Sequence, residues 1–472
     1  MRDGATDGRT HLIVGDGITA LAFLEHGAFR PDDALIVLGA AASELGRGAA
    51  YAKGEAGVPW RYAYLLNSPA DDIDPAFARW LSANWEHVRD AMTGRAPDWL
   101  GAAEPLVRDG DVYGLNAPRE FYGDFMREQA TGAIAGLRAR GVDVSLVDDA
   151  AVAIDCDGPR TIVRTRAGAA IVADTVDIAP GGPATLRIDG DDGPFAAPSV
   201  FGNEHRIVEH IRAGREIFCI GGNAAMLDVL RLCLSVIPES ELRFTACAPD
   251  GAIPEPLIPR LPRRVTRPEL TTGHETAESF LAEIWREIEL AKRAGEDQRE
   301  IRAGFRDHFL ARPLREYLED EAEALRVAAE LRLWLRGGTR DTILDMRRLT
   351  ASGEARVLQG MVRAVEHGPD GATVRIQDAA GGEVPYETGF VVNCAGAGAA
   401  SLFDPLTEDL LRQGLIEKCP ISKGLRVGTG ALTKAGGVRH LSPATTVIGE
   451  EVAAMPLYDA HMLRTYVARV AG

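Results

Sequence analysis

His11-Leu12-Ile13-Val14-Gly15-Asp16-Gly17-Ile18-Thr19-Ala20-Leu21-Ala22-Phe23-Leu24 is the stretch that decides the fold. A short apolar strand runs into a glycine turn and then into a helix-forming stretch. Gly15 permits the tight turn, Gly17 lets backbone approach a pyrophosphate, and Ala20 is small enough for the helix to pack on the strand. The spacing G-x-G-x-x-A, close to the N-terminus, predicts a dinucleotide-binding strand–turn–helix with Gly15, Asp16, Gly17 and Ala20 at the cofactor. The helix ends near His26-Gly27, and Asp32-Asp33 precede a second strand over Ala34 to Leu38. An acidic residue at the end of that second strand ordinarily binds the adenosine ribose, whereas Gly39 and Ala40 stand there. Ser43 or Glu44, on the following turn, are the alternatives for that contact.

With 472 residues the chain is long enough for two or three domains, and 46% hydrophobic with 26% charged residues is a globular composition. The formal charge of −17 argues against a nucleic-acid or anionic-membrane partner, because phosphate binding draws on clustered Lys and Arg. Cys156, Cys219, Cys233, Cys247, Cys394 and Cys419 are scattered without a C-x-x-C pair, several in apolar runs, which suits core thiols in a reducing cytoplasm. No apolar run approaches the roughly 18 residues of a membrane span, and Met1 to Thr10 does not read as a signal peptide.

Further along stand Leu45-Gly46-Arg47-Gly48-Ala49-Ala50-Tyr51, Leu65-Leu66-Asn67-Ser68-Pro69-Ala70 and Pro118-Arg119-Glu120-Phe121-Tyr122-Gly123-Asp124-Phe125. Physically, Arg47 can pair with pyrophosphate oxygens while Gly46 and Gly48 keep the backbone close to them. The ordered set G-x-G-x-x-A, L-G-R-G-x-A-Y, L-L-N-x-P-A and P-R-x-x-Y-G-D-F resembles the FAD/NAD(P)-binding oxidoreductases, relatives of flavin-dependent N-hydroxylases and Baeyer–Villiger-type monooxygenases. The resemblance implies that Arg47, Gly48 and Tyr51 lie along an FAD, with Leu66 and Asn67 near its ring. Asn67 is the one catalytic candidate it offers, as a ring-proximal polar group.

After a helix over Tyr122 to Arg138 and a strand over Val142 to Leu146, a β-meander is expected at Ala151 to Asp155 and Thr161 to Thr165. The resemblance puts the backbone near Val152 against the adenine. A strand over Ile171 to Ile178 ends in Ala179-Pro180-Gly181-Gly182-Pro183, similar to the family's A-T-G-x-x-P turn with Pro180 in place of Thr, and this marks Gly181 as a cofactor contact.

Ile217-Phe218-Cys219-Ile220-Gly221-Gly222-Asn223-Ala224-Ala225-Met226-Leu227-Asp228 is a second apolar strand running into glycine and a helix. The resemblance implies a site for NAD(P)H at Gly221, Gly222 and Asn223, although the family's G-x-G-x-x-x-x-D is reduced to G-G-N with Asp228 retained. After the next strand, Leu242 to Ala246, Cys247-Ala248-Pro249-Asp250 offers no base for a 2′-phosphate, so Asp250 leans the site towards NAD, and a vestigial site is the alternative.

Gly251 to Leu270 is a loop rich in Pro and Arg, including Arg260, Arg263, Arg264 and Arg267: a solvated connection, or a cationic wall over a cleft for an anionic ligand. From Thr276 to about Arg336 apolar residues recur at helical spacing, as in Phe280, Leu281, Ile284, Trp285 and Ile288, which predicts the core of a helical insertion. His274 and His308 read as structural histidines, with acid–base groups as the alternative, and no metal-ligand spacing appears. Strands follow at Ala355 to Leu358, Val362 to Val365 and Ala372 to Ile376. Phe390-Val391-Val392-Asn393-Cys394-Ala395-Gly396 resembles the V-V-N-C-T-G strand that carries the chain back to the FAD sheet, with Gly396 at the cofactor. Thr445-Thr446-Val447-Ile448-Gly449-Glu450 resembles the last FAD motif, with Gly449 beside the ribityl–pyrophosphate portion.

The expected fold is an α/β two-dinucleotide-binding-domain flavoprotein: a Rossmann-like FAD domain over 1–200 and 351–472, and an inserted second Rossmann-like domain with a helical substrate region over 201–350. The resemblance implies an FAD-dependent, NAD(P)H-using monooxygenase, in the manner of an N-hydroxylase, acting on a small polar molecule. An FAD-dependent oxidase or dehydrogenase that takes hydride from its substrate, and a non-catalytic nucleotide-binding sensor, are the alternatives. Oligomeric state is not readable from the sequence.

Overall fold

The computed structural model describes residues 8–112, 114–156, 158, 160–256, 267–296, 298–334, 337–398, 400–422, 424–454 and 460–471. Its framework is a pair of five-stranded parallel sheets. In chain order their strands are β1 (Thr10–Val14), β2 (Ala34–Gly39), β3 (Asp143–Asp148), β4 (Thr175–Ile178), β5 (Ala196–Ala197), β6 (Ile217–Ile220), β7 (Phe244–Ala248), β8 (Ala355–Gln359), β9 (Phe390–Asn393) and β10 (Val438–His440). The first sheet runs β10-β4-β1-β2-β3 and the second β8-β7-β6-β9-β5. The principal helices are α1 (Ile18–His26), α2 (Arg119–Ala139), α3 (Ala224–Leu234), α4 (Ala277–Arg293), α5 (Gln298–Ala311), α6 (Glu321–Trp334) and α7 (Arg340–Ser352). Central strands covered on both faces must be apolar throughout, and Ile217, Phe218, Cys219 and Ile220 are all buried.

The two units repeat each other bond for bond. Gly15 N–H donates to Leu38 O at 2.8 Å, and Gly221 N–H to Cys247 O at 2.7 Å. Ala179 N–H donates to Val14 O at 2.7 Å, and Cys394 N–H to Ile220 O at 2.8 Å. Helix α1 follows β1 as α3 follows β6, and α2 leads into β3 as α7 leads into β8. Each unit then carries an antiparallel three-stranded meander: Ala151–Asp155, Thr161–Thr165 and Ala170–Ala173 in the first, Met361–His367, Ala372–Gln377 and Glu383–Thr388 in the second.

This register corrects two expectations. Phe390–Asn393 does not return the chain to the first sheet: it pairs with β6, Phe390 opposite Ile217, and fills the place that β4 fills in the first unit. The return is made by β10, paired with β4. Strands of the second sheet therefore come from Ala196 to Asn393, a wider span than 201–350. In addition, the strand expected over Ile171 to Ile178 breaks at Asp174 into a meander strand and β4, because Thr10 N–H takes the Asp174 carboxylate at 2.7 Å.

Helices α4 to α6 form the helical insertion between β7 and α7. Phe280, Ile284, Ile288, Phe305, Tyr317 and Leu331 make its core and pack on Val447 and Val452. Those two belong to a small four-stranded sheet of Glu417–Lys418, Leu425–Val427, Thr445–Ile448 and Glu451–Val452. Of the apolar stripe read from the sequence, Phe280, Ile284 and Ile288 are buried, Leu281 is partly buried and Trp285 is exposed. Of the Arg-rich connection, Arg260, Arg263 and Arg264 lie outside the described residues. No helix among the described residues is long and apolar enough to cross a membrane.

Candidate cofactor site and the cluster between the two units

The β1–α1 turn is a backbone cradle. Gly15 has φ 124°, and a Cβ placed on it would stand 2.2 Å from Ala179 O, so only glycine fits where β1 meets the end of β4. Gly17 precedes α1, and no side chain caps that helix, which leaves the positive end of its dipole facing outward. Gly48, at φ 56°, brings a second backbone to the same place: its Cβ position is 3.0 Å from Gly17 Cα. Gly46 N–H donates to Asp16 O at 2.8 Å and fastens this loop over the turn. Ala20 is fully buried beneath it. Glycine backbone from two loops at an uncapped helix start is the geometry that suits a diphosphate. In the meander, register shifts between Ala151 and Ala153, so Val152 is left out of the ladder.

Arg47 lies among acidic side chains. Its side chain is buried, paired with Asp124 and, Nε to Oε2 at 3.2 Å, with Glu44. It also donates to Tyr51 O at 3.4 Å and to Glu120 O at 3.5 Å. Glu44 is shared between Arg47 and Arg127. Protein groups thus hold the two terminal nitrogens of the guanidinium, while its buried Nε makes no hydrogen bond among the described residues. The Tyr51 ring stands edge-on to Tyr122 at 5.0 Å. Gly123 is what lets α2 come this close, since a Cβ there would meet Tyr51 O at 2.4 Å. The motifs around Gly48 and Tyr122 thus lock together.

Leu66 and Asn67 lie where the two units meet. Leu66 N–H donates to Ala117 O at 2.8 Å, and Asn116 Nδ2 donates back to Leu66 O at 3.0 Å. Arg119, the first residue of α2, donates through Nε to Leu65 O at 3.0 Å. Its Nη2 reaches Asp228 Oδ1 on α3 at 2.8 Å and Asn67 Oδ1 at 3.4 Å. Thr339, ahead of α7, donates to Leu66 O at 3.0 Å. Burial pushes the Asp228 carboxyl up to about 6, against the opposing pull of Arg119. Nearby, Tyr64 OH donates to Glu204 Oε1 at 3.4 Å, and burial raises that phenol. Arg119 and Thr339 received no role from the sequence. Arg119 stood in a quoted motif, but its partner is 109 residues away.

The β6–α3 turn differs from its counterpart. Gly221 repeats Gly15, with φ 104° and a Cβ position 2.6 Å from Cys394 O. Asn223, however, stands at the place of Gly17 and caps α3 itself, its Oδ1 accepting from Ala225 N–H at 3.0 Å. Gly222 is covered by the following loop, a Cβ there falling 2.6 Å from Ala252 O. Asp250 makes a local turn, its Oδ1 accepting from Ala252 N–H at 3.1 Å. Gly396 sits in this second unit, its Cβ position 3.2 Å from Asn223 Nδ2. Gly181 O accepts from Ser442 Oγ at 2.9 Å, and Gly449 N–H donates to Val427 O at 2.9 Å in the turn after Ile448. His274 is held by Glu283 at 2.8 Å and Ser279 at 3.1 Å, and His308 by Tyr317 at 2.6 Å, all within the helical insertion.

Residues 12–183 match the profile of the FAD-NAD(P)-binding family. The match spans little more than a third of the chain. It contains the Gly15–Gly17 cradle, the Gly48 loop, Asn67 and Arg119. Beyond this segment, the whole chain shares its fold with solved structures. A lysine monooxygenase from Nocardia farcinica is 15% identical with a TM-score of 0.53, covering 97% of this chain and 99% of its own. An L-lysine 6-monooxygenase from Pseudomonas syringae is 14% identical, TM-score 0.53, over 98% of each chain. A cadaverine monooxygenase from Erwinia amylovora, solved with FAD, is 10% identical, TM-score 0.52, over 99% and 92%. No curated protein matches the chain in sequence.

Proposed function

We propose that the protein is an FAD-dependent monooxygenase that draws electrons from NAD(P)H and hydroxylates the nitrogen of a small polar amine. The observation that carries this reading is the meeting of the two units at Asn67. An open diphosphate cradle serves the first, the second has a repeated nucleotide-binding topology, and Arg119 and Thr339 tie Asn67 to helices of the second. The fold shared with two lysine monooxygenases and a cadaverine monooxygenase supports the same class. FAD would supply the electron chemistry, with Gly15, Gly17 and Gly48 against its diphosphate and the Leu66–Asn67 loop positioned by Arg119. The balance is amine plus O2 plus NAD(P)H plus a proton, giving hydroxylamine, NAD(P)+ and water.

The self-capped turn at Asn223 favours one second reading, an FAD-dependent oxidase that takes hydride directly from its substrate. Purified protein, examined by visible absorption without oxygen, separates the two. A yellow protein bleached by NADH or NADPH alone supports the monooxygenase. A yellow protein that neither bleaches, but that a substrate amine does, establishes the oxidase.

A further inference from the structure

The first turn carries an acid, Asp16, where the second has Gly222. Hydrogen-bond register makes Asp16 equivalent to Gly222 and Gly39 equivalent to Ala248: Asp149 N–H donates to Gly39 O at 3.0 Å, as Gly360 N–H does to Ala248 O at 3.0 Å. In the first unit the strand end has no side chain at all, and the acid comes from the turn. The Asp16 side chain lies over that bare end of β2. A Cβ on Gly39 would stand 2.8 Å from Asp16 Cβ and 3.1 Å from its Oδ2, so an acid at residue 39 and Asp16 in this position exclude each other.

Asp16 is also held in place. Its Oδ2 accepts from Ala41 N–H at 2.8 Å, just beyond the strand, and its backbone oxygen accepts from Gly46 N–H at 2.8 Å. The other carboxylate oxygen, Oδ1, lies 4.0 Å from the Cβ position of Gly48, on the side of the cradle. No protein donor reaches Oδ1 among the described residues. The neighbouring groups are otherwise engaged: Glu44 by Arg47 and Arg127, and Asp148 Oδ1 by Ser43 N–H at 2.8 Å.

From this we infer that Asp16 is the residue that binds the adenosine ribose of FAD, its carboxylate having moved from the end of β2 to the glycine turn. The usual arrangement places the acid on the strand and accepts the ribose hydroxyls there. Here the same chemistry is delivered from the opposite side of the same gap, and Gly39 is glycine to admit it. The inference rests on the proposed FAD site.

The test is equilibrium binding to apoprotein, read by flavin fluorescence, with FAD, FMN, and ADP or 2′,3′-dideoxy-ADP as competitors. Wild type is expected to bind ADP more tightly than the dideoxy analogue. Asp16→Asn, which keeps an acceptor for Ala41, is expected to weaken FAD about tenfold, leave FMN unchanged and lose the preference for ADP. The exchange Asp16→Gly with Gly39→Glu should recover most of the FAD affinity. Equal binding of ADP and dideoxy-ADP by wild type overturns the inference without any variant. So does an Asp16→Asn protein that binds FAD normally, or one that loses FAD and FMN alike. Wild type that binds no flavin would instead overturn the FAD site itself, and this inference with it.

Discussion

Arg119 and Asp228 form a buried ion pair, Nη2 to Oδ1 at 2.8 Å, between the first residue of α2 and the middle of α3. It joins the first unit to the second, and Arg119 holds Leu65 O and Asn67 as well. Removing one partner of such a pair leaves a buried charge without compensation, at a cost of about 3–5 kcal/mol. Arg119→Met is therefore expected to lower stability by that order at pH 8, measured by urea unfolding. At pH 5 the loss should be smaller, because a protonated Asp228 no longer needs the guanidinium.

Asp228 also sets a pH dependence whose sign is fixed by its environment. Burial raises its folded-state pKa from 3.8 to about 6, so between those values the folded protein holds a proton that the unfolded chain releases. Its contribution is full below the unfolded value and is lost as pH rises through 6. At 1.36 kcal/mol per unit, the shift corresponds to about 3 kcal/mol. Asp228→Asn removes the titration, so its stability relative to wild type should rise by about 2.5 kcal/mol between pH 4 and pH 7.5. A flat difference in urea unfolding across that range would show that Asp228 stays ionised in the folded protein.

The fold was legible where local sequence carries the constraint. An apolar run followed by Gly15 or Gly221 specifies a strand and a tight turn with few alternatives, and both nucleotide units were found this way. Membership of a sheet is less local. Phe390 to Asn393 is equally apolar for either sheet, and only its hydrogen bonds to Ile217–Ile220 decide between them. Side-chain direction is less local still: Arg47 was found by its motif, yet Asp124 and Glu44 turn it inward. The Asn67–Arg119–Asp228–Thr339 cluster draws on four separate segments, and no spacing rule connects them.

Two glycines separate geometric need from habit. Gly15 combines φ 124° with a Cβ position 2.2 Å from Ala179 O, whereas Gly181, at φ 83°, has open space around it. Gly181→Ala should cost only the left-handed backbone, about 1–2 kcal/mol. Gly15→Ala must also push β1 away from β4, so it should cost clearly more and lose flavin. Thermal melts with and without added FAD distinguish them. Similar losses in both variants would mean that the β1–β4 junction yields easily.

Asn223 offers the sharpest handle on electron supply. At the equivalent place in the first unit Gly17 leaves α1 uncapped, while Asn223 Oδ1 occupies the first turn of α3 by taking Ala225 N–H at 3.0 Å. Replacing an Asn cap by glycine costs only a few tenths of a kcal/mol, so Asn223→Gly should melt close to wild type. It would free the helix N-terminus and remove a side chain from the path of a pyrophosphate. If the second unit feeds electrons to the flavin, this variant should bind NADH or NADPH several-fold more tightly and be reduced at lower nucleotide concentration. If the variant melts normally and nucleotide still fails to reduce the flavin, the second unit is not an electron entry, and the oxidase reading takes its place.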